Sequence, residues 1–147
     1  MERKKFFDLL HRSGLRVTPQ RIAICDQLVK AKDHPTANDL YNKLKKTYPS
    51  LSLATVYNNL EMLVQVGMVN ALGSVGDDKV HYDANIQPHI NLACVQCHRI
   101  IDFDSEQVKG LNMEVVEKSG YEIDGSRILY FGTCPDCLIS NQKPRRQ

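Results

Sequence analysis

Residues 89–104 read HINLACVQCHRIIDFD and carry two histidines, two cysteines and two aspartates in sixteen positions. Imidazole, thiolate and carboxylate are the common metal-ligating side chains, while a Cys-x-x-Cys pair is also the unit of dithiol redox chemistry. A second pair lies downstream, so Cys94/Cys97 and Cys134/Cys137 form two matched CxxC turns at the ends of different predicted strands. Four thiolates in this pattern suit tetrahedral Zn2+, each tight turn supplying two ligands. A C-terminal unit of ~60 residues gains much from such a staple. The competing reading, a thiol–disulfide redox protein, calls for a thioredoxin-like βαβ context that neither pair has. Cys25 stands apart, as a small residue on the apolar face of a helix. The imidazoles and carboxylates are left to a separate chemistry.

The elements that must position these residues fall into two halves. Residues 3–13 are periodic and stop at Gly14, a common residue just past a helix end. Thr18-Pro19 starts a second helix through Ala31, with Ile22, Cys25, Leu28 and Val29 on one face. Thr36 caps a third helix over 37–48 that ends before Pro49, and Ser52 caps a fourth over 53–66, closed by Gly67. In that fourth helix Leu53, Val56, Leu60 and Leu63 form the buried stripe. MVNAL, a Gly73–Lys79 turn and VHYDA then read as a β-hairpin. Helices followed by a hairpin predict a winged helix-turn-helix over 1–84.

Residues 85–88, NIQP, read as a hinge. Beyond it 89–94 and 98–104 read as strands, Ser105 as the cap of a helix over 106–119 closed by Gly120, and 121–134 as a strand with a bulge at Gly125. The tail NQKPRRQ reads as disordered. The fold class expected is α+β, with a small zinc-stapled α/β dimerisation domain over 89–147.

The formal net charge of +2 hides an asymmetry. Residues 1–50 hold eleven Lys/Arg against five Asp/Glu, and the remainder eight against twelve. A basic first third suggests a nucleic-acid face there. No run approaches the ~20 apolar residues of a membrane span, and the basic start MERKKFFDLLHRSG lacks the apolar core of a signal peptide, which points to the cytoplasm and to metal rather than disulfide for the cysteines. No general base or substrate cleft stands out, so an enzyme is not expected.

GLRVTPQR, HPTANDLY, SLATVYNNLEMLVQVGMV and CVQC…CPDC, in this order from about Phe6 to Cys137, resemble the ferric uptake regulator (Fur) family of metal-dependent repressors. Asn58 after Tyr57 and Asp102 five residues after Cys97 resemble its peroxide-sensing PerR branch more than the iron-sensing one. The resemblance implies a regulatory Fe(II) or Mn(II) site at His34, Asp83, His89, Asn91 and Asp102. Asn91 departs from the pattern, since the family usually has histidine there. His81, on the same strand as Asp83, is a candidate substitute ligand, and His98 a second one nearer the zinc turn. Imidazole and carboxylate ligands without sulfur suit Fe(II) or Mn(II) independently of the resemblance.

His34 lies deep in the first half and the other ligands beside or beyond the hinge, so one ion would fix the angle between halves. The recognition helix reads bases from its first turn, here Thr55, Tyr57 and Asn58, with Arg16, Arg21 and Lys79 as phosphate contacts. One winged helix covers a short half-site, which implies a homodimer on a near-palindromic double-stranded operator. The resemblance implies peroxide sensing by Fe(II)-dependent oxidation of His34 or His89. The alternative within the family is a sensor of Fe, Mn or Zn availability.

Overall fold

The protein, described here over residues 3–142 of a computed structural model, begins with four helices, the last three of which start at hydroxyl side chains. The elements α1 (Arg3–Arg12), α2 (Pro19–Lys30), α3 (Ala37–Leu44) and α4 (Leu53–Gln65) follow one another in the first half. Thr18 Oγ1 accepts the Arg21 N–H at 3.2 Å with Pro19 opening α2, and Thr36 makes a full capping box with Asp39. Ser52 accepts the Thr55 N–H at 3.1 Å. Each bond satisfies an N–H that the helix itself leaves open. Gly67, at φ 74°, turns the chain out of α4 while the Met68 N–H bonds back to Leu63.

Two details of the helices differ from expectation. The buried face of α2 carries Ile24, Cys25 and Leu28, whereas Ile22 is 37% exposed. At about 100° per residue, the stripe set by Arg21, Cys25 and Leu28 turns Ile22 outward. The third helix ends at Leu44 rather than Tyr48, because both Thr47 and Tyr48 N–H groups turn back onto the Leu44 carbonyl ahead of Pro49. Phe6, Leu10, Ile24, Leu40, Leu60 and Leu63 are the fully buried centre of this half.

The hairpin forms from β1 (Asn70–Leu72) and β2 (His81–Asp83), antiparallel, with Leu72 opposite His81. Residues 35–36 run along its other edge, where Thr36 bridges His81 and the Tyr82 N–H bonds the Pro35 carbonyl at 3.0 Å. Helices and hairpin together make a winged helix-turn-helix.

The second half is a three-stranded sheet in the order β4-β3-β5, from β3 (Ile90–Cys94), β4 (Ile100–Phe103) and β5 (Ile128–Gly132). β3 pairs antiparallel with β4 and parallel with β5. Helix α5 (Glu106–Ser119) forms the crossover, closed by Gly120 at φ 70°. Ser105 precedes it without a side-chain cap bond, its hydroxyl donating instead to Gln107 Oε1. The last strand covers only Ile128–Gly132, so residues 121–127 are irregular and hold no bulged strand at Gly125. A helix not foreseen, α6 (Pro135–Gln142), follows, opened by Pro135. Asn141 and Gln142 of the expected disordered tail therefore end a helix, and residues 143–147 lie outside the described part.

A smaller apolar cluster joins the halves. Leu72 and Val75 of the hairpin pack with Ala93 and Ile100 of the sheet, against Leu129. The architecture is α+β, and among the described residues no helix is long and apolar enough to cross a membrane.

Candidate metal centres

Parallel pairing sets Cys94, the last residue of β3, opposite Gly132, the last of β5. Both strands therefore run out at the same edge of the sheet. Cys97 lies in the turn toward β4, and Cys134 and Cys137 flank the start of α6. The four Sγ atoms lie within 4.8 Å of one another, with Cys97 and Cys134 sulfurs 3.8 Å apart. Zinc–sulfur bonds of about 2.3 Å in a tetrahedron give sulfur separations of about 3.8 Å, against about 2.05 Å for a disulfide. All four cysteines are free thiols. The backbone N–H groups of Cys97 and Cys134, the latter at 3.3 Å, point at Cys94 Sγ and pull its thiol down to about 5. A thiolate is thereby favoured where a ligand is needed.

The second cluster draws on more of the chain. His34 stands just before the cap of α3, Asp83 ends β2, His89 leads into β3, and Asp102 lies in β4. His34 Nε2 is 2.8 Å from Asp102 Oδ1 and 3.5 Å from Asp83 Oδ2. His89 Nε2 is 3.0 Å from Asp83 Oδ2 and 3.5 Å from Asp102 Oδ1. These four groups also lie mutually within 4.8 Å.

The short distances are not well-directed hydrogen bonds. His34 Nδ1 and Nε2, Asp83 Oδ2, His89 Nε2 and Asn91 Oδ1 are all buried without a hydrogen-bond partner. Among the described residues no other buried side-chain nitrogen or oxygen is left so. Each such atom costs about 1–3 kcal/mol; His34 Nε2, Asp83 Oδ2 and His89 Nε2 face one shared point, and Asn91 stands opposite Asp102, which faces it too. Two imidazoles and two carboxylates, with no sulfur, are a donor set for a divalent cation such as Mn(II) or Fe(II).

The electrostatics agree. Burial pushes Asp83 up, but the imidazoles of His34 and His89 and the Asn85 N–H outweigh it and hold the carboxyl well below its usual range. Asp83 in turn raises His89 to about 9 against the effect of burial. Burial lowers His34, yet Asp83 and Asp102 carry it above its ordinary value. The carboxylates demand positive charge at this point, which either protons or a metal ion can supply.

A further layer aims the ligands, and the sequence reading missed it. The Asn85 N–H holds Asp83 Oδ1 at 2.7 Å, and its side-chain amide reaches Asp102 Oδ2 at 3.4 Å. The other oxygen of each carboxylate is left to face the histidines. The Gln87 carbonyl accepts from His89 Nδ1 at 2.7 Å, which fixes the tautomer that leaves Nε2 free to ligate. An Asp-x-Asn-x-Gln run is the visible signal, since Asp and Asn side chains commonly accept the N–H two residues on. His81 is not brought to the cluster. Its Nδ1 bonds the His34 carbonyl at 2.9 Å and its Nε2 bonds Asp77 at 2.8 Å. Both nitrogens are engaged, so His81 braces His34, whose backbone is left-handed at φ 51°, and is no substitute ligand. His98 faces the hairpin instead, bonding the Val75 carbonyl through Nδ1.

On the helical half Tyr57 is 45% exposed, and Asn58, Arg16 and Lys79 are exposed as well. Thr55 is half-buried and shares its hydroxyl with Ser52 in the cap of α4. Arg21 is a correction. It is 7% exposed, and its guanidinium donates to Asn59 Oδ1 at 2.7 Å and to the Arg16 carbonyl at 2.5 Å. It joins α2 to α4 from inside and has no free face for a phosphate.

A winged helix joined to a small sheet, with one metal-type cluster inside the sheet unit and one between the halves, defines a metal-responsive regulator. The chain belongs to the ferric uptake regulator family, which matches residues 12–131. It is 34% identical over 128 residues to the peroxide-responsive repressor PerR of Staphylococcus aureus strain Mu50, covering 87% of this chain and 86% of that one. The structure of the ferric uptake regulator Fur of Helicobacter pylori superposes with a TM-score of 0.74 at 20% identity, covering 94% and 95% of the two chains, and shares the fold. PerR from Streptococcus pyogenes, described for peroxide sensing and gene regulation, is 34% identical with a TM-score of 0.52 over 90% of each chain.

Proposed function

We propose that this protein is a homodimeric transcriptional repressor that binds a near-palindromic DNA operator under the control of Fe(II) or Mn(II), and that hydrogen peroxide releases it. The observation that carries this reading is the origin of the second cluster. His34 and Asp83 come from the winged-helix half, and His89 and Asp102 from the sheet side of residues 85–88. An ion held by both sides fixes the angle between a DNA-binding domain at 1–84 and a dimerisation domain at 89–147, with 85–88 as hinge. Zn2+ on Cys94, Cys97, Cys134 and Cys137 staples the second domain. Thiol–disulfide exchange is disfavoured by sulfurs set at tetrahedral rather than bonding distance.

The DNA face is supported by Tyr57 and Asn58, which project from the first turns of α4, with Thr55 as a member of the cap and Arg16 and Lys79 as backbone contacts. Dimerisation is supported by a sheet face that the described residues leave largely open. In register, Phe103, Ile90 and Ile128 form one row and Ile101, Leu92 and Tyr130 another. Ile101, Phe103 and Tyr130 are 46%, 52% and 61% exposed. An apolar surface of this breadth is costly in water and is covered by a second copy.

Held by His34, Asp83, His89 and Asp102, Fe(II) would supply the redox chemistry that lets hydrogen peroxide act as a two-electron oxidant beside the imidazoles, one oxygen going to a ring and the other leaving as water. His34 and His89 hold their Nε2 edges toward that point, so oxygen added to either ring would weaken a ligand and open the clamp. The reading within the same family that dispenses with peroxide, a sensor of metal availability, draws support from Asn91. Peptide mass spectrometry after brief peroxide exposure separates the two. One added oxygen on His34 or His89 in the Fe(II) protein, and none in the Mn(II) protein, is the expected result. Unmodified histidines with iron bound would leave the availability sensor.

A further inference from the structure

Asn91 is 2% exposed, and its Oδ1 has no hydrogen-bond partner. Register pairs it directly with Asp102 across β3 and β4, and side chains of directly paired residues project from the same face about 5 Å apart. The sheet thus presents an amide oxygen beside the carboxylate that approaches His34 Nε2 at 2.8 Å. The backbone of β3 is committed to its two neighbours, so register holds this side chain in place.

We infer that Asn91 is a metal ligand that sets the selectivity of the regulatory centre, tuning it toward Mn(II) and away from Zn(II). The inference rests on the regulatory site proposed above and deepens it. Oxygen donors suit hard ions, and affinity for nitrogen donors climbs from Mn(II) through Fe(II) toward the later metals. With Asn91 the donor set is two imidazoles, two carboxylates and a neutral amide oxygen. An imidazole in place of that oxygen would strengthen Zn(II) far more than Mn(II), because the later ion gains more from each added nitrogen. Zn2+ also prefers four ligands in a tetrahedron, so a fifth oxygen donor rewards an ion that accepts higher coordination. Relative to a centre with a third imidazole, manganese is therefore at less of a disadvantage here.

The test is chelator competition on the full-length protein with its cysteine site filled with zinc beforehand, titrating Mn(II) and Zn(II) separately. Asn91→His is expected to raise Zn(II) affinity on the order of tenfold or more while moving Mn(II) affinity only a few-fold. Asn91→Leu, similar in size and without a donor, is expected to weaken Mn(II), and Asn91→Asp to retain it. Circular dichroism and one zinc per chain confirm that each variant is folded, and Asn91→Asp carries the Mn(II) comparison should Asn91→Leu not fold. Equal shifts for both metals in Asn91→His, or unchanged Mn(II) affinity in Asn91→Leu, would overturn the inference while leaving the regulatory site standing. A wild-type protein that binds no metal beyond the cysteine zinc would remove the site and the inference together.

Discussion

The cysteine cluster takes all four sulfurs from one edge of one sheet, within a stretch that closes on itself through α5 and β5. The histidine–aspartate cluster takes its side chains from four separate places, on both sides of residues 85–88. The first can be complete whatever the winged helix does. The second exists only when the halves are brought together, which makes its occupancy a statement about their relative position. Zinc bound inside one unit stabilises that unit, whereas an ion bound between two units selects one arrangement of them. Membership of one ion class is thus less informative than the spread of ligands along the chain.

The largest difference between the clusters should appear on removing one ligand from each. Structural zinc is worth on the order of 10 kcal/mol of folding free energy, so Cys97→Ser should unfold the sheet half and abolish dimerisation in size-exclusion chromatography. Asp83→Ala should leave zinc content and dimer intact while lowering Mn(II) affinity by roughly a hundredfold or more, beyond what an aiming residue commands. A variant of Asp83 that lost the dimer, or one of Cys97 that kept it, would reverse the assignment of staple and switch.

A smaller effect addresses the helical half alone. Arg21→Met keeps the stem but leaves Asn59 Oδ1 and the Arg16 carbonyl without their donor, at about 2–3 kcal/mol. Denaturant unfolding should register that loss with both metal stoichiometries unchanged. If Arg21→Met instead left stability untouched and weakened DNA binding with a flatter salt dependence, the buried bracket between α2 and α4 would be the wrong role for it.

The smallest effect is chemical. Burial pushes the Cys25 thiol up to about 12, so it stays protonated and unreactive near neutral pH. After chelation of zinc, a thiol reagent should modify four cysteines and reach Cys25 only when the helical half is unfolded as well. Five fast-reacting thiols would place Cys25 outside the core.

Much of this molecule was legible in one dimension. Helix starts at Thr18, Thr36 and Ser52 follow from hydroxyl caps, and the hairpin from its alternation, because such signals are local. The paired CxxC spacing announced one metal chemistry, since ligand type and short spacing are properties of the chain. The imidazole–carboxylate set, spread from His34 to Asp102, was legible only through the resemblance to a family. The tertiary structure decided the rest. It turned Ile22 outward and Arg21 inward, made His81 a brace for His34, and gave Asn85 the task of orienting two carboxylates. It also set the unpartnered Asn91 oxygen opposite Asp102. None of these follows from residue type, because burial, register and hydrogen-bond partnership depend on which distant segment arrives beside a side chain. The ligand types were written in the sequence; the point at which they converge exists only where β2, β3, β4 and the segment before α3 meet.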